Sequence, residues 1–127
     1  MADVNQGNRP LSPHLQVYRP QWTWVPSIIN RITGAGLIVG AFLVVWWLIA
    51  AASGPEYFSS IDWLITSFIG DVVMFLSVWA LWWHMLGGIR HLIWDAGYGL
   101  DVETSEKMAK GIVGLSVVLT ILTAIIV

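Results

Sequence analysis

His84 is the residue whose type and position best suit metal chemistry in this sequence. It lies in a run of 18 residues, between Asp71 and Arg90, that carries no formal charge. An ionisable side chain inside such an apolar segment is a candidate functional residue, because its burial in lipid is costly. If the segment is helical, the residues within about 60° of His84 are mostly small: Val73, Ser77, Ala80, Leu81, Gly87, Gly88, His91 and Asp95. This face offers an iron ligand and room for a large flat group such as haem. A histidine that only hydrogen-bonds across a helix interface is the alternative, and the spacing leaves both open.

Other polar residues could bind the edge of such a group. His91 is almost in line with His84 on a helix and about 10.5 Å further along its axis. His91 and Arg31 could bind haem propionates through charge-assisted hydrogen bonds. Arg90 points about 120° away from His84, which suits lipid headgroups or a neighbouring subunit. Asp95 could fix the tautomer of His91 or simply end the helix.

A b-type haem that transfers electrons commonly has two strong axial ligands. This chain offers one histidine at membrane depth. The second ligand must come from another polypeptide or from a symmetry-related copy. The sequence therefore predicts an obligate partner.

Ser27 and Arg31 lie four residues apart and share one face at the entry of the first apolar run. Together they could bind an anion or a carbonyl group just below the membrane surface. The alternative for Arg31 is an anchor whose charged end reaches the headgroups.

Membrane-spanning helices must position these residues. Hydrophobic residues make up 57% of the 127 residues and charged residues 11%, whereas a soluble domain carries about 25% charged residues. The chain has no cysteine, which excludes disulfides, iron–sulfur ligation and thiol catalysis. No basic run suggests nucleic acid as a partner. We therefore predict an all-α membrane protein.

Apolar runs predict three transmembrane helices, over 25–53, 61–94 and 104–127. A polar, proline-rich segment over 1–24 precedes them and does not resemble a signal peptide. An outer loop over 54–60 and an inner loop over 95–103 join the helices. The sequence leaves open whether lipid or a partner helix contacts the mid-depth residues Trp79, Trp82 and Trp83.

The basic residues predict the orientation. All six fall at the N-terminus or around the second loop: Arg9, Arg19, Arg31, Arg90, Lys107 and Lys110. The positive-inside rule places the N-terminus and the 95–103 loop in the cytoplasm or matrix. The lack of a transit peptide favours the bacterial inner membrane over the mitochondrial one.

Two patches make the sequence resemble the family of cytochrome b subunits of succinate dehydrogenase, the larger membrane anchors of respiratory complex II. The first patch combines Arg9-Pro10-Leu11 with Ser27, Arg31 and Thr33. The second is the run His84 to Gly97, H-M-L-G-G-I-R-H-L-I-W-D-A-G, and it is highly specific.

The resemblance implies a role for each matching residue. His84 aligns with the axial haem b ligand, so it would bind the iron together with a histidine of the smaller anchor subunit. Ser27 and Arg31 align with residues that line the ubiquinone pocket, and His91 with a residue near the haem propionates. Asn30 departs from the family pattern, which often has histidine there, and cannot carry that charge.

The resemblance also implies partners. Succinate would be oxidised in a flavoprotein subunit that holds FAD, and electrons would pass through an iron–sulfur subunit to ubiquinone. This chain would anchor that pair, bind haem b with the second small anchor, and form one wall of the quinone site. Hence the three helices would belong to a hetero-subunit bundle that encloses haem b.

Three alternatives stay open. A haem-free packing subunit would use its histidines for interhelical contacts only. The cytochrome b subunit of another quinone-linked oxidoreductase usually needs more intramembrane histidines than this chain has. A quinol:fumarate reductase, which runs in the opposite direction, cannot be distinguished by these residues.

Overall fold

A computed structural model describes residues 20–127 of the chain, and every regular element there is an α-helix. The helices are α1 (Trp24–Ser53), α2 (Pro55–Ile65), α3 (Phe68–Asp95) and α4 (Val102–Ile126). Helices α1, α3 and α4 are long and apolar enough to cross a membrane. The predicted all-α architecture with three spans is thus confirmed. Most of the predicted N-terminal segment, including Arg9-Pro10-Leu11, lies outside the described residues.

Helix α2 takes up all of the predicted 54–60 loop except Gly54, together with the first five residues of the predicted 61–94 helix. Gly54 adopts a φ of 130°, a conformation that side chains disfavour, and Pro55 then occupies the first turn of α2. The indole of Trp46 donates to the Tyr57 hydroxyl at 2.7 Å, and the indole of Trp47 donates to Asp62 Oδ1 at 3.1 Å. These bonds fold α2 back onto the end of α1, a contact that the local sequence pattern does not reveal.

A break at Thr66 and Ser67 separates α2 from α3. The Thr66 hydroxyl donates to the Asp62 carbonyl at 2.7 Å, and the Ser67 hydroxyl donates to the Leu64 carbonyl at 2.7 Å. Such local bonds compete with the helical ladder. Ser67 then caps α3 by accepting from the Gly70 N–H at 3.2 Å. The second span therefore begins at Phe68 rather than at Ile61.

Helix α3 lies between α1 and α4. It runs antiparallel to α1, and glycines allow the two helices to approach closely. A Cβ built on Gly34 would meet His84, one on Gly40 would meet Ser77, and one on Gly87 would meet Asn30. This register places Ser27 level with Arg90 and His91.

The other side of α3 packs against α4. Helix α4 buries one small and mostly polar face: Ser105, Ala109, Ile112, Ser116 and Thr120. The Trp82 indole donates to Thr123 Oγ1 at 2.9 Å. Trp83 is only 2% exposed and contacts the Trp79 ring at 5.4 Å between centroids. Of the three mid-depth tryptophans, at least Trp82 thus contacts another helix of this chain.

Substitution of Gly87 by alanine should destabilise the α1–α3 contact, because its Cβ would overlap the side-chain amide of Asn30. The atoms met are the end of a side chain that can turn away, so the cost should lie at the low end of the about 1–3 kcal/mol that overpacking causes. We expect Gly87→Ala to lower the thermal midpoint of the detergent-solubilised native assembly. Gly114→Ala is the matched control, because no atom lies within 4 Å of a Cβ at that position.

The double variant Asn30→Ala with Gly87→Ala tests the cause. Removal of the amide should restore the midpoint to that of Asn30→Ala alone. A midpoint that stays low in the double variant would show that the methyl group disturbs something other than Asn30.

Most of the apolar surface of the spans is not covered by this chain. In the most apolar 18-residue stretch of α1, and likewise of α3, 11% of the positions are buried. Large side chains such as Phe42 and Phe68 are 71% and 82% exposed. Lipid or other membrane helices must cover this surface.

Candidate functional site

The imidazole of His84 is held against α1 by one hydrogen bond. Its Nδ1 lies 3.0 Å from the main-chain carbonyl oxygen of Asn30. A carbonyl only accepts, so Nδ1 must carry the proton and Nε2 keeps its lone pair in the neutral ring. This is the usual arrangement of a metal-binding histidine, whose second nitrogen donates to a nearby oxygen.

Nε2 of His84 is free to bind a ligand. Within residues 20–127 it has no hydrogen-bond partner, and part of its surface is accessible from outside these helices. The interhelical contact that we considered as the alternative thus occupies one ring nitrogen and leaves the other available. The described residues contain no group of three or more metal-binding side chains, so an ion held by protein ligands of this chain alone is not supported there.

A groove lies between α1 and α3, and its lining on α3 begins at Ala80, one turn from His84. It has a volume of about 380 Å³ and runs from the level of His84 away from the end of the bundle that carries Arg31, Arg90, Lys107 and Lys110, here called the basic end. Small side chains contribute to its wall, among them Thr33, Gly40, Ser77 and Ala80. Ser77 and Ala80 belong to the small-residue face that the sequence predicts around His84. The free Nε2 of His84 fits a prosthetic group whose iron takes a single imidazole from this chain, and the largely apolar groove that begins one turn away would leave room for part of that group.

The other predicted site residues lie at the basic end. Ser27 is half-buried, and Arg31 and His91 are exposed. Ser27 and His91 are at the same level on facing helices, while Arg31 directly follows the carbonyl that holds His84. Within residues 20–127, the side chains of Ser27 and Arg31 have no hydrogen-bond or ion-pair partner, so both can bind a ligand. No hydrogen bond or ion pair joins the three residues in this part of the chain.

His91 makes its ring contact with Trp94, edge to face, at 5.3 Å between centroids. Asp95 is exposed at the last position of α3, which fits the helix-end role. Within the described residues no hydrogen bond links Asp95 to His91, so the structure offers no support for Asp95 as the group that fixes the tautomer of His91.

Arg90 corrects an expectation from the sequence. It is 5% exposed, and its Nη2 donates to the carbonyl oxygen of Ser105 at 3.2 Å and to the hydroxyl at 2.9 Å. The guanidinium also lies 4.1 Å from the centroid of the Trp94 ring, a cation–π contact. Arg90 therefore joins α3 to α4 rather than reaching headgroups or a neighbouring subunit. Helical spacing showed that it points away from His84, but could not show that α4 covers that side.

Asp101 orders the start of α4 at the basic end. Its carboxylate accepts from the Thr104 N–H at 2.8 Å, and this hydrogen bond lowers the pKa of Asp101. Lys107 pairs with Glu103 at 2.7 Å, and the Trp94 indole donates to the Gly99 carbonyl at 3.0 Å. The loop between α3 and α4 is thus tied to both helices.

Two parts of the site were not singled out as site residues in the sequence. They are the main-chain carbonyl of Asn30, which holds His84, and Gly34, whose missing side chain makes room for the His84 ring. The side-chain Oδ1 of Asn30 is buried without a partner in the described part of the chain. The signal that could have found both is their spacing of four residues, which puts them on one face of α1.

Known proteins are similar to nearly the whole chain. The family described as "Succinate dehydrogenase/Fumarate reductase transmembrane subunit" matches residues 5–123. The succinate dehydrogenase cytochrome b556 subunit of Paracoccus denitrificans is 51% identical over 126 residues, which cover 99% of this chain and 97% of that protein. The subunit of the same name from Rickettsia conorii is 36% identical over 114 residues, 90% of this chain and 89% of the relative. The succinate dehydrogenase cytochrome b560 subunit of Marchantia polymorpha is 40% identical over 114 residues, 85% and 81% of the two chains.

Proposed function

Because this chain belongs to the family of succinate dehydrogenase/fumarate reductase transmembrane subunits, we propose that it is the membrane-anchoring cytochrome b subunit of a succinate dehydrogenase. Its three apolar helices suit a membrane anchor. The relatives named above carry the name of the succinate dehydrogenase subunit, which supports the direction of succinate oxidation over fumarate reduction.

The observation that carries the haem proposal is the state of His84. Its Nδ1 is bonded to the Asn30 carbonyl, which leaves its Nε2 free, and the groove between α1 and α3 begins one turn away at Ala80. When bound, haem b supplies one-electron redox chemistry. His84 would bind the iron through Nε2, and the partner anchor subunit would supply the other axial ligand. His91 and Arg31 would bind the propionates from the basic end.

Ser27 and Arg31 would also form part of the site where ubiquinone is reduced. Arg31 is exposed and permanently charged, so its guanidinium would stabilise negative charge that develops on a quinone oxygen. The Ser27 hydroxyl would donate a hydrogen bond to the quinone one turn nearer the membrane surface. Both side chains lie free at the basic end, where an electron-supplying subunit would dock.

The remaining chemistry belongs to partners. FAD and the iron–sulfur clusters would lie in the flavoprotein and iron–sulfur subunits, since this chain has no motif for either and no cysteine. The N-terminus and the loop between α3 and α4 would face the cytoplasm, because the basic residues gather there. We place the complex in a bacterial inner membrane, in line with the relative from Paracoccus denitrificans.

Purification of the native complex through a tag on this chain tests the proposal. We expect a flavoprotein, an iron–sulfur protein and a second small membrane protein to co-purify, with protohaem equimolar to this chain. The reduced-minus-oxidised spectrum should show a b-type signal. Co-purification of the subunits without protohaem would instead favour the haem-free packing subunit.

A further inference from the structure

The His84 ring rests directly on Gly34. A Cβ built on Gly34 would lie 2.8 Å from His84 Cε1, 3.2 Å from Nδ1 and 3.7 Å from Nε2. The three nearest atoms all belong to the same imidazole, so a side chain here would press on the ring and not on the α3 backbone. One turn before Gly34, the Asn30 carbonyl binds Nδ1 at 3.0 Å.

We propose that Gly34 is a positioning residue, which together with the Asn30 carbonyl sets the orientation of the His84 imidazole and thereby the redox potential of the haem that it binds. This proposal rests on the proposed function, since it needs an iron on Nε2. Gly34 touches neither iron nor substrate, and it acts only through the ring that it accommodates.

The chemistry of the ring gives the direction of the effect. A hydrogen bond from Nδ1–H to a carbonyl raises the basicity of the ligand nitrogen, and a more basic ligand favours the oxidised iron. A methyl group at position 34 must displace the ring, because real Cβ atoms essentially never approach another atom within 3.0 Å. Displacement lengthens or bends the bond to Asn30. We therefore expect the haem midpoint potential to rise.

The test is Gly34→Ala in the whole membrane complex, with Gly111→Ala as the matched control. Both exchange glycine for alanine inside a membrane helix, and nothing lies within 4 Å of a Cβ on Gly111. Redox titration of the b-type absorbance gives the midpoint potential, and electron paramagnetic resonance of the oxidised complex reports the geometry of the axial ligands. We expect a more positive potential and a shifted low-spin signal in Gly34→Ala, with no change in Gly111→Ala.

An unchanged potential and low-spin signal in Gly34→Ala, at full haem content, would overturn the role of Gly34 and leave haem binding by His84 intact. A wild-type complex without a low-spin b-type signal would overturn the proposed function itself. The two failures are therefore distinguishable.

If Gly34→Ala fails to assemble, the double variant with His84→Ala decides the cause. A methyl group that acts only on the ring has nothing to displace once the ring is gone. The double variant should then assemble as well as His84→Ala alone. Failure of the double variant, with assembly of His84→Ala, would overturn the proposal, because the methyl group would then disturb the helix contact directly.

Discussion

Replacement of His84 by alanine should abolish the b-type absorbance of the purified complex. The change removes the Nε2 donor, and residues 20–127 hold no other histidine at the same depth to replace it. One axial ligand from the partner subunit would remain, which is too little for a low-spin b-type haem with two strong ligands. The reduced-minus-oxidised spectrum and the protohaem content per complex measure the effect.

Two further experiments separate ligation of iron by His84 from its role in helix packing. Imidazole added to the His84→Ala complex should restore part of the signal, because the cavity left by the ring accepts the free ligand. His84→Met keeps an iron-binding side chain, and a thioether ligand raises the haem potential. A full b-type signal in His84→Ala without added imidazole would contradict ligation and leave His84 as an interhelical contact through Asn30.

Replacement of Arg31 by alanine should lower the rate of ubiquinone reduction by about 10²-fold, the usual cost of losing one group that stabilises developing negative charge. Succinate oxidation with an artificial acceptor should persist, because the electrons then leave before they reach the membrane. The ratio of the two rates, measured on the same preparation, gives the effect. Arg31→Lys keeps the positive charge but loses the planar guanidinium with its paired N–H donors. It should therefore recover part of the rate of ubiquinone reduction.

Lys107→Ala is the control for charge alone. It removes the same charge at the basic end of the bundle, from a side chain that pairs only with Glu103 in the described residues. We expect it to leave ubiquinone reduction unchanged. If Arg31→Ala loses succinate oxidation with the artificial acceptor as well as ubiquinone reduction, the result would count against a role of Arg31 at the quinone. Loss of protohaem with a retained ubiquinone rate would restrict Arg31 to the propionates.

The sequence was sufficient for the features that depend on local composition. Apolar runs long enough to cross a membrane predicted three spans, and the structure has them. The run from His84 to Gly97 identified the family, which the comparisons confirm. The small-residue face around His84 also followed from helical spacing, because the period of an α-helix is the same in every context. The roles of Ser27, Arg31, His84 and His91 stay predictions.

Only the tertiary structure decided which elements these residues meet. It folds α2 back onto α1, begins the second span at Phe68, and turns Arg90 onto Ser105 of α4. It also sets the tautomer of His84, through a carbonyl 54 positions away in the chain. The physical reason is that periodicity determines the direction of a side chain around its own helix, whereas the packing of separate helices determines what lies in that direction. The sequence predicted His84 as an iron ligand, but the contacts of its ring with Asn30 and Gly34 appear only where α1 and α3 meet.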